Sequence, residues 1–305
     1  MIAARECEIA ELEQLALASG LVGVISQLVH ALQRERGLSN VFLGSRGSRF
    51  GDERAQQCTD SDRQAAQVRL RFDTLDTGAG RIRNGARVFN RIALVLHELD
   101  GLPALRQRVQ ALSLSTEEST AAYTRLVAGL LAVVFEAADS ASDPDISRAL
   151  VAMFNFMQGK EFTGQERALG GAIFASGQAD AAQQRQWLHL IESQERCFQV
   201  ATEFAGPAIT AAWQAAQQTS PLADVERLRR IGCAPQADAR LDPELSPAWY
   251  ALCTQRLDRM RTVEEQLADA LHAMCAERIA LARMELRDQQ AIQYRLSVQS
   301  NVDTP

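Results

Sequence analysis

Two arginines and a lysine stand where helical spacing calls for aliphatic side chains. From Leu21, steps of three and four run through Ile25, Leu28 and Leu32, land on Arg36 and Ser39, and return to apolar residues at Phe42 and Leu43. An amphipathic helix turns such a stripe toward the core, so the pattern predicts a guanidinium inside the protein. Further along, a seven-residue step runs Ile146, Met153, Lys160, Arg167, Phe174, and the interleaved step runs Leu150, Met157, Gly164, Gly171. That seam is apolar at both ends and cationic in the middle. Its glycines each cost about 1 kcal/mol of helix stability against alanine, a cost tolerated where a backbone or ligand must come close.

A guanidinium in a bundle core must be paired, because an isolated buried charge is very unfavourable. One reading pairs Arg36 and Arg167 with Glu35, Glu161 or Glu166 and makes them braces of the bundle. The other leaves a cationic slot between two helices and takes the counter-charge from solution. A planar oxyanion fits the guanidinium fork through two parallel hydrogen bonds. Spacing alone leaves both readings open. Ser39 and Asn40 could add hydrogen bonds to such an anion or serve in packing. Lys160, the single lysine among 32 basic residues, either raises the local positive potential or pairs with Glu161 or Glu35.

The elements that must position these groups read as long helices with short breaks. Ala, Leu, Gln, Arg and Glu dominate, aromatics are 6%, and strand-like alternation is rare, so the fold class is all-α. Helix one is expected from Cys7 to Gly44, followed by a loop to Gly51 whose Arg46 and Arg49 could gate a site. A second helix runs Asp52–Asp76 and breaks at Gly78-Ala79-Gly80. A third runs Ile82–Val109 with a kink or turn at Gly101-Leu102-Pro103. Ser115 and Glu118 form a capping box for a fourth. Asp143-Pro144 opens a fifth, to Ser176. A sixth spans Ala179–Gln218, Ser220-Pro221 starts a short one to Ile231, and Ser246-Pro247 opens the last, Ala248 to Tyr294. Short connections favour antiparallel packing, and the number of helices suggests two up-and-down bundles sharing long helices. Residues 1–275 are expected to form the main helical domain, with 276–305 a helical extension and polar tail.

The net charge of −6 argues against direct nucleic-acid binding. The stretch with Arg69, Arg71, Arg81, Arg83, Arg87 and Arg91 is diluted by Asp73 and Asp76 and reads as a solvated face. The six cysteines form no CxxC pair, which suits reduced cytoplasmic thiols better than a disulfide framework. No ligand spacing marks a metal site, no phosphate loop or dinucleotide fingerprint is present, and no nucleophile–base set can be assembled. Neither an enzyme nor a cofactor is expected. The acidic N-terminus is unlike a signal peptide. The uncharged stretch Gln14–Gln33 reads as a core helix rather than a membrane span.

The run Leu32-Gln33-Arg34-Glu35-Arg36-Gly37-Leu38-Ser39-Asn40, leading to Phe42-Leu43-Gly44-Ser45, resembles the N-terminal signature of the nitrate- and nitrite-sensing (NIT) domain family. Lys160-Glu161 with Gly164-Gln165-Glu166-Arg167-Ala168 resembles the family's second signature. Ala248-Trp249-Tyr250 through Thr254, Leu257 and Val263 is similar to its closing helix. The resemblance, over about Leu21–Leu271, implies a helical cytoplasmic sensor of nitrate or nitrite whose anion-contacting arginines match Arg36 and Arg167. Ser39 and Lys160 join them as candidate contacts. In the family's antiterminators the sensor is joined to an RNA-binding ANTAR domain. The residues after Leu271 are too few for that module and show no match to it. A homodimer and an unidentified regulatory partner are expected.

Overall fold

The computed structural model describes residues 2–75, 85–139, 143–218, 222–233 and 240–302. Among them are nine helices and no strand: α1 (Ile2–Gly44), α2 (Gly51–Asp73), α3 (Gly85–Gln110), α4 (Thr116–Asp139), α5 (Pro144–Ser176), α6 (Ala181–Phe204), α7 (Pro207–Gln218), α8 (Leu222–Gly232) and α9 (Leu245–Val302). The expected break at Gly78-Ala79-Gly80, Arg81 and Arg83, and the start at Ser220-Pro221 lie outside the described residues.

Local chemistry sets several of the helix ends. Asp143 accepts from the backbone N–H groups of Asp145 and Ile146, with Pro144 at the first helical position. Such a cap satisfies donors that the first turn leaves orphaned. Ser115 and Glu118 form the expected capping box at α4, and Asp180 and Gln183 form a second one at α6. Gly177 closes α5 with a φ of 68°, a left-handed conformation that glycine adopts without a Cβ clash.

Three helix assignments differ from expectation. The helix foreseen from Ala179 to Gln218 is two helices, parted at Ala205 and Gly206. Pro207 cannot donate a backbone hydrogen bond and restarts the chain as the first residue of α7. In α3, no turn forms at Gly101-Leu102-Pro103, and the helix runs unbroken through Pro103. The last helix also begins earlier and continues further than its polar end suggested, to Val302.

Helices α1–α4 pack around one another, with α1 against α2 and α4, and α3 against α4. Helices α5, α6, α8 and α9 form the second bundle, and α7 lies on α9. The long helices are shared, because α9 also packs along α1, and α5 touches both α1 and α4. One large apolar cluster runs through both bundles, from Leu21, Ile25 and Leu28 on α1 to Met153 and Met157 on α5 and Met260 on α9. A smaller cluster joins the far ends of α5, α6, α8 and α9 through Phe174, Trp187, Leu228 and Trp249.

Two described helices are long and apolar enough to cross a membrane, Ile2–Gly44 and Thr116–Glu136. In the fold their apolar faces, including Ile25, Val29, Val127 and Val134, are buried against other helices. A core helix meets the same test of composition.

The aromatic cluster leaves no room at Gly170. A Cβ there would lie 2.5 Å from Trp249 and 2.8 Å from Trp187. Gly170→Ala is therefore expected to destabilise the protein by about 1–3 kcal/mol through overpacking. Gly23→Ala, at a helical position with nothing within 4 Å of the added carbon, is expected to stabilise it by up to about 1 kcal/mol. Chemical denaturation of the two variants checks the opposite signs.

Candidate functional site

A buried polar layer interrupts the apolar core at one level of three helices. On α1 the large cluster ends at Leu32, and apolar packing resumes at Phe42. On α5 it ends at Met157 and resumes at Ile173. On α9 the break falls between Cys253 and Leu257. Gln33, Glu35, Arg36, Ser39, Lys160, Glu161, Thr163, Glu166, Arg167 and Arg256 are all buried in the gap. In a low dielectric every one of these groups needs a partner.

Arg36 is 1% exposed and makes a two-pronged contact with Glu161. Its Nη1 donates to Oε1 at 2.5 Å and its Nη2 to Oε2 at 3.2 Å. Nη1 also donates to the Thr124 hydroxyl of α4 at 3.0 Å. Glu161 accepts further from Gln33 Nε2 and Gln165 Nε2, each at 2.9 Å. Of the two readings left open for Arg36, the pairing with a protein carboxylate is the one found: Glu161 of α5 already fills its fork.

Arg167 differs. It is 4% exposed, yet among the described residues no carboxylate lies within ion-pair distance of it. Its Nη1 donates to the Thr254 hydroxyl at 3.0 Å and its Nη2 to the Gln33 carbonyl at 3.4 Å. Its guanidinium lies 4.8 Å from the centre of the Tyr250 ring, a cation–π contact. These neutral partners satisfy hydrogen-bonding groups but leave the charge uncompensated.

The glycines let the two arginines cross the helix contact. A Cβ on Gly37 of α1 would lie 2.8 Å from Arg167 Nη2, and one on Gly164 of α5 would lie 2.8 Å from Arg36 Nη2. Each guanidinium therefore presses on a glycine of the opposite helix, the close approach that the flanking glycines suggested.

The neighbouring carboxylates are taken. Lys160 is fully buried and donates to Glu264 of α9, which also accepts from Ser26 at 2.9 Å. Neither partner foreseen for Lys160, Glu161 or Glu35, is the one it finds. Glu35 is held by Arg106 at 2.8 and 2.9 Å and by Tyr123 at 2.7 Å. Burial pushes the Glu35 carboxyl up, but Arg106 holds it below its usual value. Ser39 faces this network, with its hydroxyl 3.4 Å from that of Tyr123, and Asn40 donates to Thr120 at 2.7 Å. Glu166 is gripped by Arg229 at 2.7 and 2.6 Å, with Trp187 and Gln194 also donating. Burial raises the Glu166 carboxyl, and Arg229 and then Arg256 pull it below the ordinary carboxylate range.

So of the four residues singled out by sequence, Arg36, Arg167 and Lys160 lie in the layer between α1, α5 and α9, and Ser39 points toward α4. Glu264, Arg106, Arg229 and Arg256 were not foreseen. Two of them left a trace: Glu264 follows Met260 and Val263 on the apolar stripe of α9, and Arg229 follows Val225 and Leu228 on that of α8.

With this geometry in place, the relatives are informative. The family described as nitrate and nitrite sensing matches residues 27–272, the stretch that holds every group named above except Ser26. The chain belongs to the NIT family. It is 38% identical over 271 residues to a nitrate regulatory protein of Klebsiella oxytoca, covering 88% of this chain and 66% of that protein. It thus spans a little under two-thirds of that relative's length. A solved structure of the NasR transcription antiterminator superposes with a TM-score of 0.82 at 34% identity, over 96% of this chain and 82% of the other. The NIT match includes both arginines and the α9 residues Tyr250, Thr254 and Glu264.

His30 borders the layer. Burial, then the nearby Lys160 charge, lowers its pKa from 6.5 to about 2. Below pH 6.5 the unfolded chain binds a proton at His30 that the folded protein does not, so stability must fall as the pH drops. This group alone contributes a slope that approaches about 1.4 kcal/mol per pH unit as the pH falls well below 6.5. His30→Gln should flatten the melting-temperature profile between pH 6.5 and 5. An unchanged slope in the variant would assign the acid sensitivity to other groups.

Proposed function

We propose that this protein is a cytoplasmic regulatory sensor that takes a nitrate or nitrite ion at Arg167, where α1, α5 and α9 meet, with Arg36 completing the site. One observation carries the reading: Arg167 is a buried guanidinium whose partners are a hydroxyl, a carbonyl and an aromatic ring. The pairs Arg36–Glu161 and Lys160–Glu264 are each neutral, so Arg167 leaves this contact with a surplus of one positive charge. A monovalent anion cancels it. A divalent one such as sulfate would leave a buried negative charge in its place, which favours nitrate and nitrite.

Signal output follows from where the partners of Arg167 stand. Tyr250 and Thr254 belong to α9, as does Glu264, the partner of Lys160. An anion that draws Arg167 away from these contacts alters how α9 packs on α1 and α5. It shifts the equilibrium only by its differential affinity for the two arrangements, typically about 1–3 kcal/mol. Residues 1–275 act as the sensing unit in this account. The α9 extension beyond it carries the change to a regulatory partner or across a homodimer.

A second reading has its own observation. Arg36 already pairs with Glu161, as a structural brace would. If both arginines are braces, removing either destabilises the fold and no anion binds. Calorimetric titration with nitrate, nitrite, chloride and sulfate separates the two readings. The sensor reading predicts that Arg167→Ala abolishes nitrate-dependent thermal stabilisation, which in the parent protein reaches about 2.7 kcal/mol at a hundredfold excess over Kd. Arg167→Lys should weaken binding, since an ammonium cannot make the forked contact. Unaltered nitrate affinity in Arg167→Ala would overturn the sensor reading.

A further inference from the structure

The carboxylate of Glu161 sits in a cradle made for a small oxyanion. Four N–H contacts converge on it, two from Arg36, one from Gln33 and one from Gln165. The donors come from both sides of the helix contact: Gln33 and Arg36 from α1, Gln165 from α5, one turn beyond Glu161 itself. Nitrate and nitrite share the features this cradle recognises. Each is planar and singly charged, and each presents an O–N–O edge much like the O–C–O edge of a carboxylate, the edge that a guanidinium fork binds in two-pronged fashion. The cradle also touches the uncompensated charge, because the residue that donates to Glu161 through its side chain, Gln33, accepts from Arg167 through its backbone carbonyl.

We infer that Glu161 is an internal competitor for the anion: nitrate displaces the Glu161 carboxylate from Arg36, Gln33 and Gln165, and these three residues become ligand contacts. This rests on the sensor reading of Arg167. Because the competitor is tethered to α5, its effective concentration at the cradle is high, at least millimolar in order of magnitude for a short tether. It therefore lowers the apparent affinity and sets the concentration at which the sensor responds. The exchange also gives the binding event a mechanical consequence. The Arg36–Glu161 contact ties α1 to α5 directly, and displacement replaces that tie with one made through the ligand.

The experiment is calorimetric titration with nitrate of the parent chain, Glu161→Gln and Arg167→Ala. Glutamine keeps the shape of the side chain but removes the competing charge. Glu161→Gln should bind nitrate at least tenfold more tightly than the parent and show a larger nitrate-dependent rise in melting temperature. Glu161→Asp, which keeps the charge but draws it back from the fork, should show a smaller gain in the same direction. It serves as the second variant if Glu161→Gln folds only with nitrate present. Equal or weaker nitrate affinity in these variants, with parent binding intact and lost in Arg167→Ala, would overturn the competitor role and leave the sensor reading standing. Absence of nitrate binding to the parent chain would instead defeat the sensor reading, and the competitor role with it.

Discussion

A single uncompensated charge organises the middle of this molecule. Removing a guanidinium from water without a counter-ion is among the least favourable things a fold can do. Arg167 escapes the full cost through Thr254, the Gln33 carbonyl and the Tyr250 ring. Those contacts reach across from α5 to α1 and α9, so the place where the charge is tolerated is also where the two bundles join. The surrounding layer is consistent with this constraint. The buried carboxylates Glu35, Glu161, Glu166 and Glu264 each have a basic partner other than Arg167.

A second cation shows the same tension in a different setting. Arg256 on α9 is 5% exposed and lies 3.8 Å from Glu166, a carboxylate already held by Arg229. Its Nε and Nη1 have no hydrogen-bond partner among the described residues. Burial and then the nearby Arg229 lower its pKa from the ordinary value. Arg229 and Arg256 thus converge on Glu166 at the aromatic end of α5, and Arg229 also holds Glu226 at 2.5 Å.

Much of this was legible in the sequence, for a physical reason. Helical period alone decides which residues of one helix share a face, and it puts Arg36 in the buried stripe of α1 and Lys160 and Arg167 in the buried seam of α5. Gly164 at the helix contact was legible in the same way, whereas Gly37 carried no such signal and Gly171 meets nothing closer than Trp249 at 3.9 Å. The partners were only partly legible: Glu161 was one of three carboxylates open to Arg36, whereas Glu264 was not offered to Lys160. Glu161 meets Arg36 across 125 positions of chain, and Glu264 meets Lys160 across 104. Which carboxylate faces which cation depends on how helices are rotated and offset against one another, and no single-helix pattern contains that. The break at Ala205-Gly206 is a different kind of miss. The Gly206-Pro207 pair is a local signal, overridden in the sequence reading by the helical composition on both sides.

The sensor account and the brace account differ at Arg167 more than at Arg36. Arg36 has a carboxylate in hand in the anion-free protein in either case. Arg167 lacks one, and only the sensor account supplies it from solution. Side-chain NMR of protein labelled at arginine reads this directly, with the Arg167 signal assigned through Arg167→Lys. Addition of nitrate should move the Arg167 guanidinium resonances saturably and leave those of Arg229 in place. Resonances of Arg167 that stay fixed across a nitrate titration would contradict the claim that its missing counter-charge is the ligand.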